Sequence, residues 1–306
     1  MSVHWNLAAP KGHFLLEPGR TRALLQIHFC VFLWGFTAIL GKLITLSALP
    51  LVWWRMACVT IALGLLPSFW RSLASMSRAL VGIYAGIGIV VALHWVTFYA
   101  AIKLANASVA ATCMALAPVF IAFVEPFVSG RRFDMRELVF GIAVVPGVAL
   151  VAGGTPLHMR AGIAVGALSA LLVAFFAIFN KRYIGSSRAL TVTGIEMAAG
   201  ALFLLAISAL LPASSLSIRI PSAHDAVLLL ILAIGCTLLP YSLSLVALKK
   251  LSAFSTALAV NLEPVYAIGF AILLLGEQRE LSASFYLGVA ILLATVVLHP
   301  VLVRQR

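Results

Sequence analysis

Residues 101–130 read AIKLANASVAATCMALAPVFIAFVEPFVSG, and residues 247–276 read ALKKLSAFSTALAVNLEPVYAIGFAILLLG. The two stretches align without a gap. They share the identical pairs Lys103/Lys249, Ala107/Ala253, Leu116/Leu262, Pro118/Pro264 and Val119/Val265. Similar segments precede both, because Arg55-Met56-Ala57 resembles Glu196-Met197-Ala198 at a nearly equal offset. The common order of these segments indicates an internal repeat with two copies.

Composition places the chain in a membrane. Of its 306 residues, 63% are hydrophobic and only 10% are charged, whereas a soluble domain carries about 25% charged residues. The mean hydropathy is +1.12, and disorder would require low hydrophobicity with high charge. The sequence therefore excludes both a soluble domain and a disordered chain.

The apolar residues fall into runs that approach the roughly 20 residues needed to cross a bilayer as a helix. We predict an all-α integral membrane protein with ten transmembrane helices as a five-plus-five inverted repeat, because two copies of five spans must cross in opposite senses. The runs cover residues 23–43, 50–70, 79–101, 106–128, 137–153, 161–180, 190–212, 224–247, 253–275 and 282–303.

Lysine and arginine positions predict the orientation, because cytoplasmic loops hold the excess of these residues. With the N-terminus inside, fifteen of the 21 basic residues lie in inner segments, five in outer segments, and Arg55 within a span. Both termini are therefore predicted to be cytoplasmic. The predicted units are a cytoplasmic tail (1–22), a first repeat (23–155), a second repeat (156–303) and a cytoplasmic end (304–306).

Several motifs resemble the EamA family of the drug/metabolite transporter superfamily. They are Trp34-Gly35, Arg55-Met56-Ala57, Pro118-Val119-Phe120, Leu262-Glu263-Pro264-Val265 and Leu274-Leu275-Gly276-Glu277. The resemblance implies ten helices in two inverted repeats, and it is greatest to the YddG-like aromatic amino-acid exporters of bacterial inner membranes. One departure is Gly130-Arg131-Arg132, where the family usually has Gly-Glu-Arg, and this weakens a functional role for that loop.

Charged residues inside a bilayer are costly, so those in the spans are expected to face protein or water. Glu263 lies deepest, and Pro264 beside it is expected to leave a carbonyl at Ala259 or a neighbour without its helical partner. Glu263 could therefore belong to a substrate site, or it could set helix packing. Arg55 and Glu196 match across the repeats and are not expected to pair with each other. Each lies near the start of its helix and could snorkel, so structural anchoring is favoured over a functional role for both.

Aromatic residues suggest where a substrate would bind. Along one helix His94, Trp95 and Tyr99 share a face, and Trp95 aligns with Tyr241 in the second copy. Packing is an alternative explanation for this stripe. The predicted substrate-binding residues are Trp34, His94, Trp95, Tyr99, Phe175, Phe176, Tyr241, Asn261 and Glu263, with Pro118 and Pro264 as matched hinges.

Other signals restrict the function. The four cysteines form no CxxC pair, and the aspartates Asp134 and Asp225 are predicted to lie in loops, so we expect no metal, no cofactor and no enzyme activity. Basic residues do not form the continuous face that nucleic acid requires. Two GxxxG pairs, starting at Gly82 and Gly162, predict close helix contacts.

The expected function is export of small amphipathic metabolites, above all aromatic or other neutral amino acids, by alternating access. The expected partners are a small-molecule substrate and the lipid bilayer, and the oligomeric state is left open. A drug exporter with proton antiport and a passive channel remain as alternatives.

Overall fold

The computed structural model describes residues 18–130, 146–185, 187–210, 217–251, 256, 259–260 and 262–303. All regular structure in these residues is helical. The helices are α1 (Pro18–Leu43), α2 (Ala48–Gly64), α3 (Pro67–Ala74), α4 (Arg78–Leu104), α5 (Ala107–Met114), α6 (Ala117–Ser129), α7 (146–154), α8 (Arg160–Tyr183), α9 (Ala189–Leu210), α10 (Ala223–Leu248), α11 (Glu263–Leu275) and α12 (Ala283–Val303).

Six helical segments of the described chain are long and apolar enough to span a membrane: 21–43, α4, 107–128, 157–183, α9 and α10. A seventh results if α2 and α3 form one span, although a bend of 88° separates them. The helix predicted over 50–70 therefore ends earlier, at Gly64, and Pro67 begins α3. Most of the span predicted over 137–153 lies outside the described residues, so the number ten stays a prediction.

Both repeats contain a helix that begins just before a matched proline. α5 ends at Met114, and α6 begins at Ala117 with Pro118 in its first turn. α11 likewise begins at Glu263 with Pro264 in its first turn. Proline is favoured there because the first N–H groups of a helix have no acceptor within it. Each proline therefore opens a new helical segment instead of kinking a continuous one.

The backbone before each proline makes the same tight turn. Leu116 N donates to Cys113 O at 3.1 Å, and Leu262 N donates to Ala259 O at 3.1 Å. These bonds span three residues, as in a 3₁₀ turn. The Ala259 carbonyl keeps a partner, because the turn tightens and Leu262 N donates to it; an unpaired carbonyl at a neighbouring residue stays a prediction.

Matched glycines end the segments that the prolines open. Gly130 follows α6 and Gly276 follows α11, and both have φ of 69°. This left-handed conformation strains any residue with a Cβ, so glycine is the usual residue at a helix C-terminus. The two copies thus share both the start and the end of this segment.

The loop after Gly276 closes onto the first repeat. Glu277 is buried, and its carboxylate accepts from Ala107 N at 3.1 Å and from Ser108 N at 2.9 Å. A carboxylate at these N–H groups satisfies the unpaired donors at the start of α5 and complements its dipole. Glu277 therefore has a capping role, and its counterpart Arg131 lies outside the described residues.

Small residues allow close helix contact in one of the two predicted pairs. A methyl group added at Gly162 would lie 2.6 Å from Ala105 Cβ, and one at Gly166 would lie 2.7 Å from a side-chain atom of α5. Gly82 and Gly86 face open space. The prediction of close contact is confirmed for Gly162 and Gly166 and is wrong for the other pair.

Asp225 does not lie in a loop as predicted, because it occupies the first turn of α10. Its buried carboxylate accepts from Thr45 N at 3.0 Å and from Thr45 Oγ1 at 2.6 Å. These bonds join the start of α10 to the connection between α1 and α2, which positions the two repeats around a shared centre.

Candidate functional site

A cavity of about 120 Å³ lies between helices of both repeats. One water needs roughly 10–15 Å³ of such space, so the cavity has room for a small solute. The residues that line it are Trp34, Thr37, Arg55, Val91, His94, Trp95, Phe98, Met114, Ala117, Ile121, Val173, Phe176, Ala177, Tyr241, Ser244, Leu245, Leu248, Thr256, Val260 and Glu263.

Aromatic rings from both repeats meet in the cavity wall. Trp95 of α4 and Tyr241 of α10 pack edge to face, with ring centroids 6.0 Å apart. Phe176 of α8 lies 5.5 Å from the same Tyr241 ring. The alignment of Trp95 with Tyr241 in sequence thus corresponds to direct contact across the repeats. Such walls favour a flat apolar group, because rings prefer offset or edge-to-face contacts.

Six of the nine predicted binding residues border this cavity, namely Trp34, His94, Trp95, Phe176, Tyr241 and Glu263. Tyr99 lies behind the wall with its side chain fully buried. Phe175 stacks on Phe179 at 6.1 Å and does not border the cavity. Asn261 lies outside the described residues. Binding of a substrate by these side chains stays a prediction.

Arg55 lies at the cavity, although its sequence position favoured an anchor at the membrane surface. Only 2% of the residue is exposed, and its guanidinium carbon lies 3.7 Å from the Trp95 ring centre. Its Nε donates to Thr237 Oγ1 at 2.6 Å, and its Nη1 donates to Tyr99 Oη at 3.0 Å. Packing over a ring face adds a cation–π attraction. Arg55 thus joins α2, α4 and α10 at the cavity.

The prediction that Arg55 snorkels to a membrane surface is wrong. The side chain turns inward because Thr237 and Tyr99 supply buried hydrogen-bond acceptors and Trp95 supplies a ring face. The position of Arg55, eight residues into α2, made a surface anchor plausible from sequence. The available signal was the charge itself, since an ionisable residue inside a span marks a functional site by default.

Glu263 borders the cavity from the first turn of α11, with 8% of the residue exposed. In the part of the chain that the structure describes, its carboxylate makes no hydrogen bond and no ion pair. A carboxylate in the first turn is favoured by the positive end of the helix dipole. The acid is therefore held in place by its helix while its oxygens stay available to a ligand.

His94 contributes a polar edge whose orientation is fixed by α8. Its Nδ1 lies 2.8 Å from Ser169 Oγ and 3.0 Å from Ser169 O, and Ser169 Oγ donates to His94 O at 2.9 Å. This reciprocal pairing satisfies buried polar groups of both residues. His94 is therefore part of a rigid wall.

Glu196 does not border the cavity. The residue is fully buried, and its Oε2 accepts a hydrogen bond from Tyr241 Oη, while its Oε1 has no partner among the described residues. Arg55 and Glu196 make no ion pair, as the sequence predicts. In the described part of the chain, no group of three or more metal-ligating side chains is placed to hold a metal ion.

Many transporters are built from two internal repeats with the substrate site between them, and the cavity described above lies between helices of both repeats. The chain belongs to the EamA-like transporter family, which it matches over residues 21–153 and again over residues 160–300. The double match confirms the internal repeat. The protein is accordingly a multi-pass membrane protein of the drug/metabolite transporter type, and members of this family are transporters, not enzymes.

No curated protein matches the sequence of this chain. In three dimensions 26 solved chains match it. One of them, titled only "Crystal structure of protein", has a TM-score of 0.63 and a sequence identity of 17%, and the match covers 94% of this chain and 100% of that chain. At that identity the similarity shows the fold alone.

Proposed function

We propose that this protein is a secondary transporter that exports aromatic or other neutral amino acids by alternating access. The observation that carries the proposal is the cavity wall, in which aromatic rings of both repeats surround one arginine and one glutamate. Rings favour a flat side chain, and two opposite charges suit a zwitterion. A site at the junction of two repeats is also where alternating access requires the substrate to bind.

Strongly anionic substrates fit the cavity poorly. Arg55 is the single lysine or arginine among the described residues that line it, and Glu263 lines the same cavity. A sugar phosphate would bring about two negative charges at pH 7 to a site of no net formal charge. Phosphorylated metabolites are therefore expected to be excluded.

The proposed architecture is ten spans in a five-plus-five inverted repeat, in a bacterial inner membrane, with both termini in the cytoplasm. The matched segments from Pro118 to Gly130 and from Pro264 to Gly276 support two equivalent copies. The basic residues support the orientation.

Cysteines introduced at Ser186 and at Ser222 in a cysteine-free background test this topology. A membrane-impermeant maleimide applied to intact cells should label position 222 and not position 186. Labelling of both positions from the same side would contradict the inverted repeat.

Counterflow in proteoliposomes tests the transport activity. Vesicles loaded with unlabelled phenylalanine should take up labelled phenylalanine faster than vesicles loaded with buffer alone. Labelled glucose 6-phosphate should not enter either kind of vesicle. Uptake without stimulation by internal substrate would indicate a channel. Stimulated uptake of phosphorylated compounds alone, or of none of the amino acids, would contradict the proposed substrate class.

The second candidate is a drug exporter coupled to proton antiport. The observation that favours it is Glu263, a cavity acid that makes no hydrogen bond or ion pair within the described residues. Counterflow of aromatic amino acids and of lipophilic amines, each with and without a pH gradient, separates the two candidates.

A further inference from the structure

Arg55 is a buried cation without a counter-ion in direct contact. Its hydrogen-bond partners are the neutral groups Thr237 Oγ1, Tyr99 Oη and Cys236 O. Within the described residues no carboxylate forms an ion pair with it. Removal of a charge from water costs several kcal/mol unless it is paired and hydrogen-bonded. The site is therefore electrostatically incomplete without an anion.

The guanidinium retains the donors that such an anion would use. A guanidinium has five N–H groups, and the protein takes one on Nε, one on Nη1 and one on Nη2. One N–H on each terminal nitrogen remains. A carboxylate can accept one hydrogen bond from each terminal nitrogen of a guanidinium, which gives two parallel hydrogen bonds. Trp95 covers one flat face of the group, so the N–H donors left for a ligand lie along the edge of the guanidinium.

The second charge of the cavity restricts the anion further. Glu263 lines the same cavity as Arg55, and no ion pair joins the two side chains. A dianion such as phosphate would be repelled by Glu263, whereas a zwitterion presents a carboxylate to Arg55 and an ammonium group to Glu263. The aromatic wall then accepts the side chain.

We propose that Arg55 binds the carboxylate of the transported molecule and thereby restricts the cavity to substrates that carry a free carboxylate. This inference rests on the proposed function, because it assumes that the cavity is the transport site. It assigns to Arg55 a specificity role: an aromatic amine that lacks the carboxylate leaves the guanidinium uncompensated and binds weakly.

Four related ligands test the inference on the purified wild-type protein in lipid nanodiscs, with binding measured by isothermal titration calorimetry. They are phenylalanine, phenethylamine (no carboxylate), 3-phenylpropionate (no ammonium group) and phenyl phosphate. A hydrogen bond to a charged group contributes about 1.5–3 kcal/mol, so phenethylamine should bind roughly tenfold to a hundredfold more weakly than phenylalanine. Phenyl phosphate should bind more weakly than 3-phenylpropionate.

Two variants test whether the preference for a carboxylate depends on Arg55. Arg55→Gln should abolish the preference for phenylalanine over phenethylamine, and retained phenethylamine binding shows that the variant is folded. Arg55→Lys keeps the charge without the fork and should give an intermediate preference. If Arg55→Gln fails to fold, the wild-type series and Arg55→Lys decide the matter.

The two levels of the proposal fail in different ways. Equal affinity of the wild-type protein for phenylalanine and phenethylamine, or an unchanged preference in Arg55→Gln, would overturn the role of Arg55 while aromatic binding still supported the proposed function. Binding of none of the four ligands would overturn the proposed function itself. Tightest binding of phenyl phosphate would overturn the carboxylate in favour of a phosphate.

Discussion

Arg55 and Glu196 occupy equivalent positions in the two repeats, each eight residues into its helix. Both are almost fully buried, and the methionine that follows each one is completely buried. Their surroundings differ, however. Arg55 borders the cavity, whereas Glu196 does not. Tyr241 lines the cavity in its place and donates a hydrogen bond from its hydroxyl to the Glu196 carboxylate.

The comparison shows that equivalent backbone positions need not give equivalent sites. The repeats reproduce helix starts, prolines and terminal glycines, but the side chains around the shared position differ. Thr237 and Trp95 hold Arg55 toward the centre, while Tyr241 covers Glu196. The cavity consequently has its cation from the first repeat and its acid, Glu263, from the second, so its two halves are chemically different.

The largest expected effect is a loss of stability when α4 is forced away from the backbone of α9 at Glu196. A methyl group at Gly88 of α4 would lie 2.2 Å from Glu196 O, too close for backbone atoms. We expect Gly88→Ala to lower the free energy of unfolding by about 3 kcal/mol. Gly82→Ala on the same helix is the control, because that site is open and alanine favours a helix by about 0.5–1 kcal/mol. Thermal unfolding in detergent should separate them, and equal midpoints would contradict the close contact.

The two acids offer the next test. Glu263→Gln removes the charge expected to hold the substrate ammonium or a proton, so phenylalanine counterflow should fall about tenfold or more, or lose its dependence on pH. Glu196→Gln should stay near the wild-type rate, because a glutamine carbonyl can still accept from Tyr241. Counterflow rates measured at several values between about pH 5 and 8, the range in which histidine also titrates, compare the variants. Equal losses in both would remove the distinction between a cavity acid and a covered one.

The aromatic wall should have a smaller effect on affinity. Trp95→Ala removes an edge-to-face partner of the substrate ring, which is worth about 0.5–1.5 kcal/mol beyond area burial, and it uncovers Arg55. Trp53→Ala is the matched control, since Trp53 packs on Trp54 and does not border the cavity. Cells that express Trp95→Ala should resist toxic aromatic amino-acid analogues less well than cells with Trp53→Ala. Similar resistance would argue for packing alone.

Replacement of the matched prolines should have the smallest effect on transport, and the effect should be the same for Pro118 and Pro264. Pro118→Ala and Pro264→Ala each restore a backbone N–H that can extend a helix through the break. Both should slow counterflow severalfold while the unfolding midpoint changes little. Pro126→Ala, which lies within α6 and away from the break, serves as control. Normal rates in both variants would show that the breaks are not hinges.

Much of the site, including the acid Glu263, could be predicted from the sequence, but its cation, Arg55, could not. The prediction that Trp95 and Tyr241 both border the cavity is correct, because aligned positions that lie near the axis relating the two copies come together there. The inclusion of Phe175 and Tyr99 in the wall failed. A uniformly apolar helix gives no periodic signal for its inward face, because lipid is as apolar as the protein interior.

The sequence by itself determined that the chain is a helical membrane protein with two repeats, because hydrophobicity and segment order are properties of the chain alone. It also determined the matched prolines and glycines, whose backbone restrictions act locally. Only the tertiary structure decided that Arg55 faces the cavity while Glu196 does not. That choice depends on helix rotation and on partners such as Thr237 and Tyr241, which lie about 180 and 45 residues away in the chain and meet these charges only after the helices pack.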